Sequence, residues 1–415
     1  MGDVVAEKLG DRLIADWVSG DHLGFTSDAA RRAYQDRARL IVDTIRLKDT
    51  GRIPVIPAAT QKFALDYGPI TFREAMTEFD KALAAYVRQY EDTDFDAYVG
   101  PEFIFPAGMF EALAWKRVRL PGVHLPPDKS FQFVEGEYMK ADEYDEFLDD
   151  PSDWVLRKYL PRLSPILEPL AQLPALRNTL VFHQGLPDLV LAAAENPGVV
   201  EALAALKKSG EAVQEWYQYL GRVDQELGGR LSIPHLLGAI AAAPFDIIST
   251  YYRGWRGAIM DMYTRPEKMK ALMERLLPWQ LQYGIEGAKA LGHPIVTVYL
   301  YKGADGLMSD EQYEEFYWPT LKKLLLGLVD EGLLVWVFTQ GKYDSRLHHF
   351  TQIPAGTCLI HLESGTDASS RRRCWRARSA SRATCPARCW PRRPSRKWRP
   401  TARDSSACAA RAAAS

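Results

Sequence analysis

Apolar residues along the chain follow two alternating rhythms. Short, nearly continuous apolar runs occur at 54–57, 95–99, 179–182, 295–301, 333–338 and 357–362. Runs of that kind predict strands covered on both faces, as in a parallel sheet. Between them the period changes. Phe72, Met76, Phe79, Leu83, Tyr86, Val87 and Tyr90 form a stripe of 3.6-residue spacing, which predicts one amphipathic helix. Thr71 and Glu74 open it as a capping box, in which hydroxyl and carboxylate satisfy backbone N–H groups that the first turn cannot. Further helices are predicted from about 266 to 289 and from 309 to 328, the second opened by Ser309 and Gln312 and kinked at Pro319, which has no N–H to give. Strand–helix alternation over this length predicts a (β/α)₈ barrel rather than an open sheet. Residues 1–50 read as a helical segment ahead of a barrel at 51–367, and 142–154 as an acidic surface insertion. The run at 357–362 is about the seventh strand, so an eighth strand and helix are due after it and do not appear.

Charge explains where the pattern stops. The formal balance of −1 averages two unlike pieces: residues 368–415 carry 13 Arg and one Lys against one acid, a net +13, and the first 367 residues carry a net −14. The terminal piece holds no Leu, Ile, Val, Phe, Met, Tyr or Gly, so it has nothing from which to build a core. Four of the five cysteines lie there, leaving Cys358 alone in the body. One thiol in 367 residues argues against a disulfide framework and fits a reducing, cytoplasmic setting. No uncharged run reaches the length of a membrane span, so no membrane association is expected.

Barrel enzymes carry their chemistry at the C-terminal ends of the strands. On that rule the candidates are Gln184 after 179–182, Lys302 and Asp305 after 295–301, residues Thr339 to Tyr343 after the next run, and His361 with Glu363 on the last. Two apart on a strand, His361 and Glu363 share a face, as an acid/base pair, a hydrogen-bonded pair or two metal ligands. Cys358 and His361, three apart, point to opposite faces and cannot reach one ion. His348 and His349 read as surface residues, and no zinc site is expected. Arg253 and Arg346 have the planar fork that binds carboxylates. The stretch from Asp246 to Asp261 reads either as a substrate-binding loop or as arginine paired with structural aspartate. The basic tail could neutralise phosphates, but nucleic acid is not the expected partner.

The stretch from about 244 to 361 resembles the uroporphyrinogen decarboxylase family. The resemblance is carried by Pro244-Phe245-Asp246, Arg253-Gly254, Asp261-Met262-Tyr263, Arg265-Pro266-Glu267, Met308-Ser309-Asp310-Glu311-Gln312-Tyr313, Phe316-Tyr317-Trp318-Pro319 and Gly341-Lys342-Tyr343-Asp344-Ser345-Arg346-Leu347. It implies a (β/α)₈ barrel and two kinds of relative: true decarboxylases, and zinc-dependent methyltransferases acting on corrinoid proteins. The decarboxylases' N-terminal Arg-Gln-Ala-Gly-Arg-Tyr segment has no counterpart after Pro57. The methyltransferases' His-x-Cys is replaced by Phe338-Thr339-Gln340.

The expectation is therefore decarboxylase-type chemistry on a porphyrinogen-like or other carboxylated small molecule, without cofactor. Arg253, Arg346, Lys302, Asp305 and Asp246 would hold the substrate; His361, Glu363 and Tyr343 would donate or orient a proton. A homodimer fits this reading. Zinc and a corrinoid protein enter only under the methyltransferase alternative. The resemblance also implies an eighth strand ending in Gly-Asn-Val-Pro. Arg382-Ala383-Thr384-Cys385-Pro386 can be encoded so that a two-nucleotide shift reads those four residues, so a frameshift near Asp367 is expected to have produced the tail. A barrel short of one strand and helix would expose two sheet edges, so the chain as written is expected to be aggregation-prone or inactive.

Overall fold

The computed structural model describes residues 7–57, 61–101, 104–363 and 365–367. Its framework is a TIM-barrel-like α/β fold around a parallel sheet. Two short antiparallel strands come first, β1 (Val118–Arg119) and β2 (Gln132–Phe133). The parallel sheet follows, in the order β3 (Ala239–Ala242), β4 (Ile295–Leu300), β5 (Leu334–Thr339) and β6 (Cys358–Leu362). Two extended segments prolong it beyond β3: Asp96 N donates to Val55 O, Tyr98 N to Pro234 O, and Leu236 N to Tyr98 O.

All six residues of β4 are buried, because both its faces are covered. Val296, Val298 and Leu300 pack outward against the Pro266–Leu291 and Trp318–Asp330 helices. Ile295 and Tyr299 pack inward with Leu334 and Trp336, above Ile14, Trp17 and Ile41 of the N-terminal helices Leu9–Ser19 and Asp28–Ile45. The N-terminal helices thus pack into the core of the sheet. Gly284 lets the long helix sit close to the strands: a Cβ there would meet Leu328 at 3.1 Å and Val296 at 3.3 Å.

Several expectations are corrected. The apolar run at 179–182 is no strand; it spans the end of a 3₁₀ turn (Leu176–Leu180) and the start of the Phe182–Glu195 helix, with Leu180 left exposed. A short apolar run cannot by itself be told from a helix segment. The strand that takes its place in the sheet is β3, whose alanines carry little β signal. The predicted helix after Thr71 breaks into Phe72–Ala75 and Phe79–Glu91. There Met76 O accepts from Ala107 N, and Thr77 Oγ1 donates to Arg73 O. Both capping boxes form as expected, at Thr71/Glu74 and Ser309/Gln312.

The insertion at 142–154 is not a surface segment. Its aromatic residues Tyr144, Phe147 and Trp154 are buried in the outer core, and Glu143 and Asp153 are neutralised by Arg162 and Arg157. Pro319 is accommodated by a π-turn at Tyr313–Tyr317 ahead of the Trp318–Asp330 helix, which absorbs the missing N–H. The expected eighth strand, and the tail read from the sequence as a frameshift product, fall at 368–415, outside the described residues. Among the described residues no single helix is long and apolar enough to cross a membrane.

Candidate functional site

The strand register builds the site. Ala242, Tyr299, Phe338 and His361 stand side by side across β3, β4, β5 and β6. The pleat turns them to the inner face. Their rings touch in sequence: Tyr299 to Phe338 at 5.3 Å between centroids, and Phe338 to His361 at 4.1 Å with planes 9° apart. Tyr301 stacks on Tyr299 one layer higher. One layer lower, Ile240 of β3 is 38% exposed, although it lies within the sheet. The inner face thus carries a row of rings at the C-terminal end of the strands, with Tyr299 and His361 buried and Phe338 half-buried.

His361 is 7% exposed, and its Nδ1 has no hydrogen-bond partner among the described residues. Burial lowers its pKa to about 4, so it is uncharged at neutral pH. Glu363 does not pair with it: Glu363 Oε2 accepts from Gly341 N at 2.7 Å and anchors the loop after β5. Thr366 adds a second anchor, accepting from Tyr343 N at 3.0 Å.

Asp246 is fully buried at the end of β3. Its Oδ2 accepts from Tyr317 Oη (2.6 Å) and Tyr301 N (2.9 Å), its Oδ1 from Lys302 N (2.9 Å). Burial raises its pKa to about 6 against the lowering pull of those three donors and of the Lys302 charge. Asp246 therefore positions the β4 exit rather than facing a substrate. Tyr343 is also wholly buried, beside Tyr317, and burial holds its pKa well above the ordinary value.

The two arginines are both enclosed. Arg253 is 4% exposed; its Nε bonds Asp261 at 2.5 Å and its Nη1 reaches Glu137 and Met139 O. This is the ion-pair arrangement left open from the sequence. Arg346, 1% exposed, bonds Asp310 and Met308 O and lies 4.6 Å from the Tyr313 ring centroid. Asp305 accepts from Ser345 N and Oγ. Arg346 and Asp305 thus clasp the loops after β4 and β5 together.

Among the sequence candidates, Lys302 keeps a cationic head at the mouth. Its Nζ lies 3.5 Å from Glu135 and 5.4 Å from the centroid of the Trp255 ring. A second cation had no sequence signal. Arg117, 5% exposed, is held between Tyr251 (4.6 Å) and Tyr138 (5.2 Å), with Nη2 on Thr250 O. It has no carboxylate partner among the described residues, and its Nε has no acceptor. The segment after β2 links the two cations: Val134 N donates to Arg117 O, while Glu135 meets Lys302 and Trp255 N.

Among the described residues, the donor set at this end of the sheet does not fit zinc. Where the zinc-dependent relatives carry His-x-Cys, Phe338 stacks on His361 and Thr339 Oγ1 donates to His361 O. Cys358 packs on the outer side at the far end of β6, and burial pushes its thiol up to about 12.

The uroporphyrinogen decarboxylase (URO-D) family model matches residues 173–383. No curated protein matches the chain. Among solved structures, a methyltransferase from Methanosarcina mazei is similar over 82% of this chain and 80% of its own, with a TM-score of 0.50 and 12% identity. That likeness is one of fold.

Proposed function

Because the chain belongs to the uroporphyrinogen decarboxylase family, we propose that it is an enzyme removing CO₂ from a carboxylated, ring-containing small molecule at the C-terminal end of the sheet. The observation that carries this reading is the continuous ring surface Tyr299–Phe338–His361, bordered by Lys302. A flat substrate stacks on such a surface, and its carboxylate meets the ammonium at the rim. Decarboxylation breaks the C–C bond, leaves the electron pair on carbon, and that carbon then takes a proton. Lys302 holds the negative charge and is the group at the mouth with a proton to give. An uncharged His361 is a poor acid, so its part is to orient the reacting carbon through a ring nitrogen. Arg253 and Arg346 shape the walls through their ion pairs. Arg117 supplies positive potential behind Tyr251.

The test is CO₂ release from a polycarboxylated porphyrinogen by the purified chain. Turnover that falls on Lys302→Ala supports the reading; no release while methyl is transferred to a corrinoid overturns it. Methyl transfer is the second reading. It is favoured by the methyltransferase of similar fold and opposed by Phe338 and Gln340 where that chemistry needs metal ligands.

A further inference from the structure

On the other side of the sheet, three metal-type donors converge where no site was expected. Glu314, on the π-turn at Tyr313–Tyr317, faces His348 and His349 of the 3₁₀ helix Leu347–Gln352, and one donor atom from each lies within 4.8 Å of the other two. We propose that Glu314, His348 and His349 bind a divalent transition-metal ion of the zinc class and clasp these two turns together.

The arrangement is poorly accounted for by hydrogen bonding among the three. Glu314 Oε1 and His349 Nε2 are 3.7 Å apart, too far for a hydrogen bond. The two imidazole centroids are 3.9 Å apart at 37°, so the rings converge without bonding. The orientation of His348 is set from behind: its Nδ1 lies 2.9 Å from Ser345 O, which makes Nδ1 the protonated nitrogen and leaves the Nε2 lone pair outward. Metal-binding histidines are typically oriented by such a bond. His349 is 4% exposed, and its Nδ1 has no partner among the described residues.

The donor types choose the ion. Two imidazoles and one carboxylate suit zinc, cobalt or nickel, while calcium and magnesium require more oxygen ligands. Zinc bonds of about 2.0–2.2 Å need the donors to draw somewhat closer than they stand, which the exposed Glu314 side chain can supply. The remaining coordination position opens onto a groove of about 560 Å³ lined by Trp318, Leu326 and Lys322, with room for water or a small anion. Arg346 already joins this helix to Asp310, so the ion would add a second clasp to the loop that carries Tyr343.

The test uses the full chain and Co²⁺ as a spectroscopic stand-in for Zn²⁺. The basic terminal segment contains Cys374, Cys385, Cys389 and Cys408, and thiolate ligands give an intense near-ultraviolet charge-transfer band that imidazole and carboxylate do not. One Co²⁺ bound with visible d–d bands and without that band is expected. Glu314→Gln and His348→Ala, both at exposed positions, should each weaken binding at least tenfold and abolish a Zn²⁺-dependent rise in Tm. Unchanged affinity in both variants, or a thiolate-type spectrum alone, overturns the proposal.

Discussion

Two buried histidines stand at opposite ends of the same sheet, and they differ in one respect. His293, just before β4, has both ring nitrogens engaged: Nε2 with His235 O at 3.0 Å, and Nδ1 accepting from Ile295 N at 3.1 Å. His361, near the end of β6, is also buried, yet its Nδ1 has no partner among the described residues. Burial lowers both pKa values, to about 3 for His293, with His235 adding to the shift, and about 4 for His361. A shifted pKa therefore does not separate a structural histidine from a chemical one. The unused nitrogen does, together with position: in barrels the N-terminal face serves stability and the C-terminal face serves chemistry.

The contrast can be broken by mutation. His293→Phe strands His235 O and Ile295 N, so urea unfolding should show a loss of about 3–5 kcal/mol. A variant as stable as the wild type would remove the structural half of the comparison. His361→Phe keeps a ring against Phe338 and removes the nitrogens; CO₂ release should fall about a hundredfold or more with Tm nearly unchanged. Full turnover in that variant would take His361 out of the site.

Acid sharpens the comparison. Each depressed histidine contributes stability that is complete above its unfolded pKa of about 6.5 and is lost as pH falls towards its folded value. Between pH 7 and 5 the unfolded chain gains protons that the folded chain refuses, costing about 2 kcal/mol per histidine. Asp246 acts in the opposite sense: with its pKa raised to about 6, it binds its proton more tightly when folded and adds stability as pH falls. Urea titrations at both pH values should therefore show His361→Phe losing less stability on acidification than the wild type. Identical losses would mean that His361 is not held neutral by burial.

Smaller effects are expected at the cations. Lys302→Ala should lower kcat/KM for a carboxylated substrate about tenfold or more, with kcat falling as well as KM rising, equivalent to at least about 1.4 kcal/mol. Arg117→Lys keeps the charge but gives up the planar fit between Tyr138 and Tyr251, so a stability loss of about 1 kcal/mol is expected by thermal unfolding. No change in Tm would mean that the flat guanidinium is not what holds Tyr138 and Tyr251 together.

Legibility in the sequence followed the range of the interactions. The three longest strands of the sheet, β4, β5 and β6, were readable because continuous apolar runs admit few alternatives in a parallel sheet. Both capping boxes were readable because all their partners lie within three residues. The run at 179–182 misled because its apolar residues belong to helical turns, one of them exposed. The alanines of β3 concealed a strand that is defined by its neighbours. Among candidate residues, placing His361 and Glu363 at a strand end was a local inference. That Glu363 turns to Gly341 while His361 stacks on Phe338 depends on β5, more than 20 residues away.

By itself the sequence determined the alternation of elements, the ends of the capped helices, the acidic body with its basic terminus, and the resemblance that placed the chain in its family. Those properties depend on composition and on neighbours a few residues apart. Only the tertiary structure decided how the charges were spent: Arg253 on Asp261 and Glu137, Arg346 on Asp310, Lys302 on Glu135 at the mouth, and Arg117 enclosed with no carboxylate partner among the described residues. Whether a buried charge is neutralised or remains available depends on which distant side chain meets it, and a one-dimensional pattern does not carry that information.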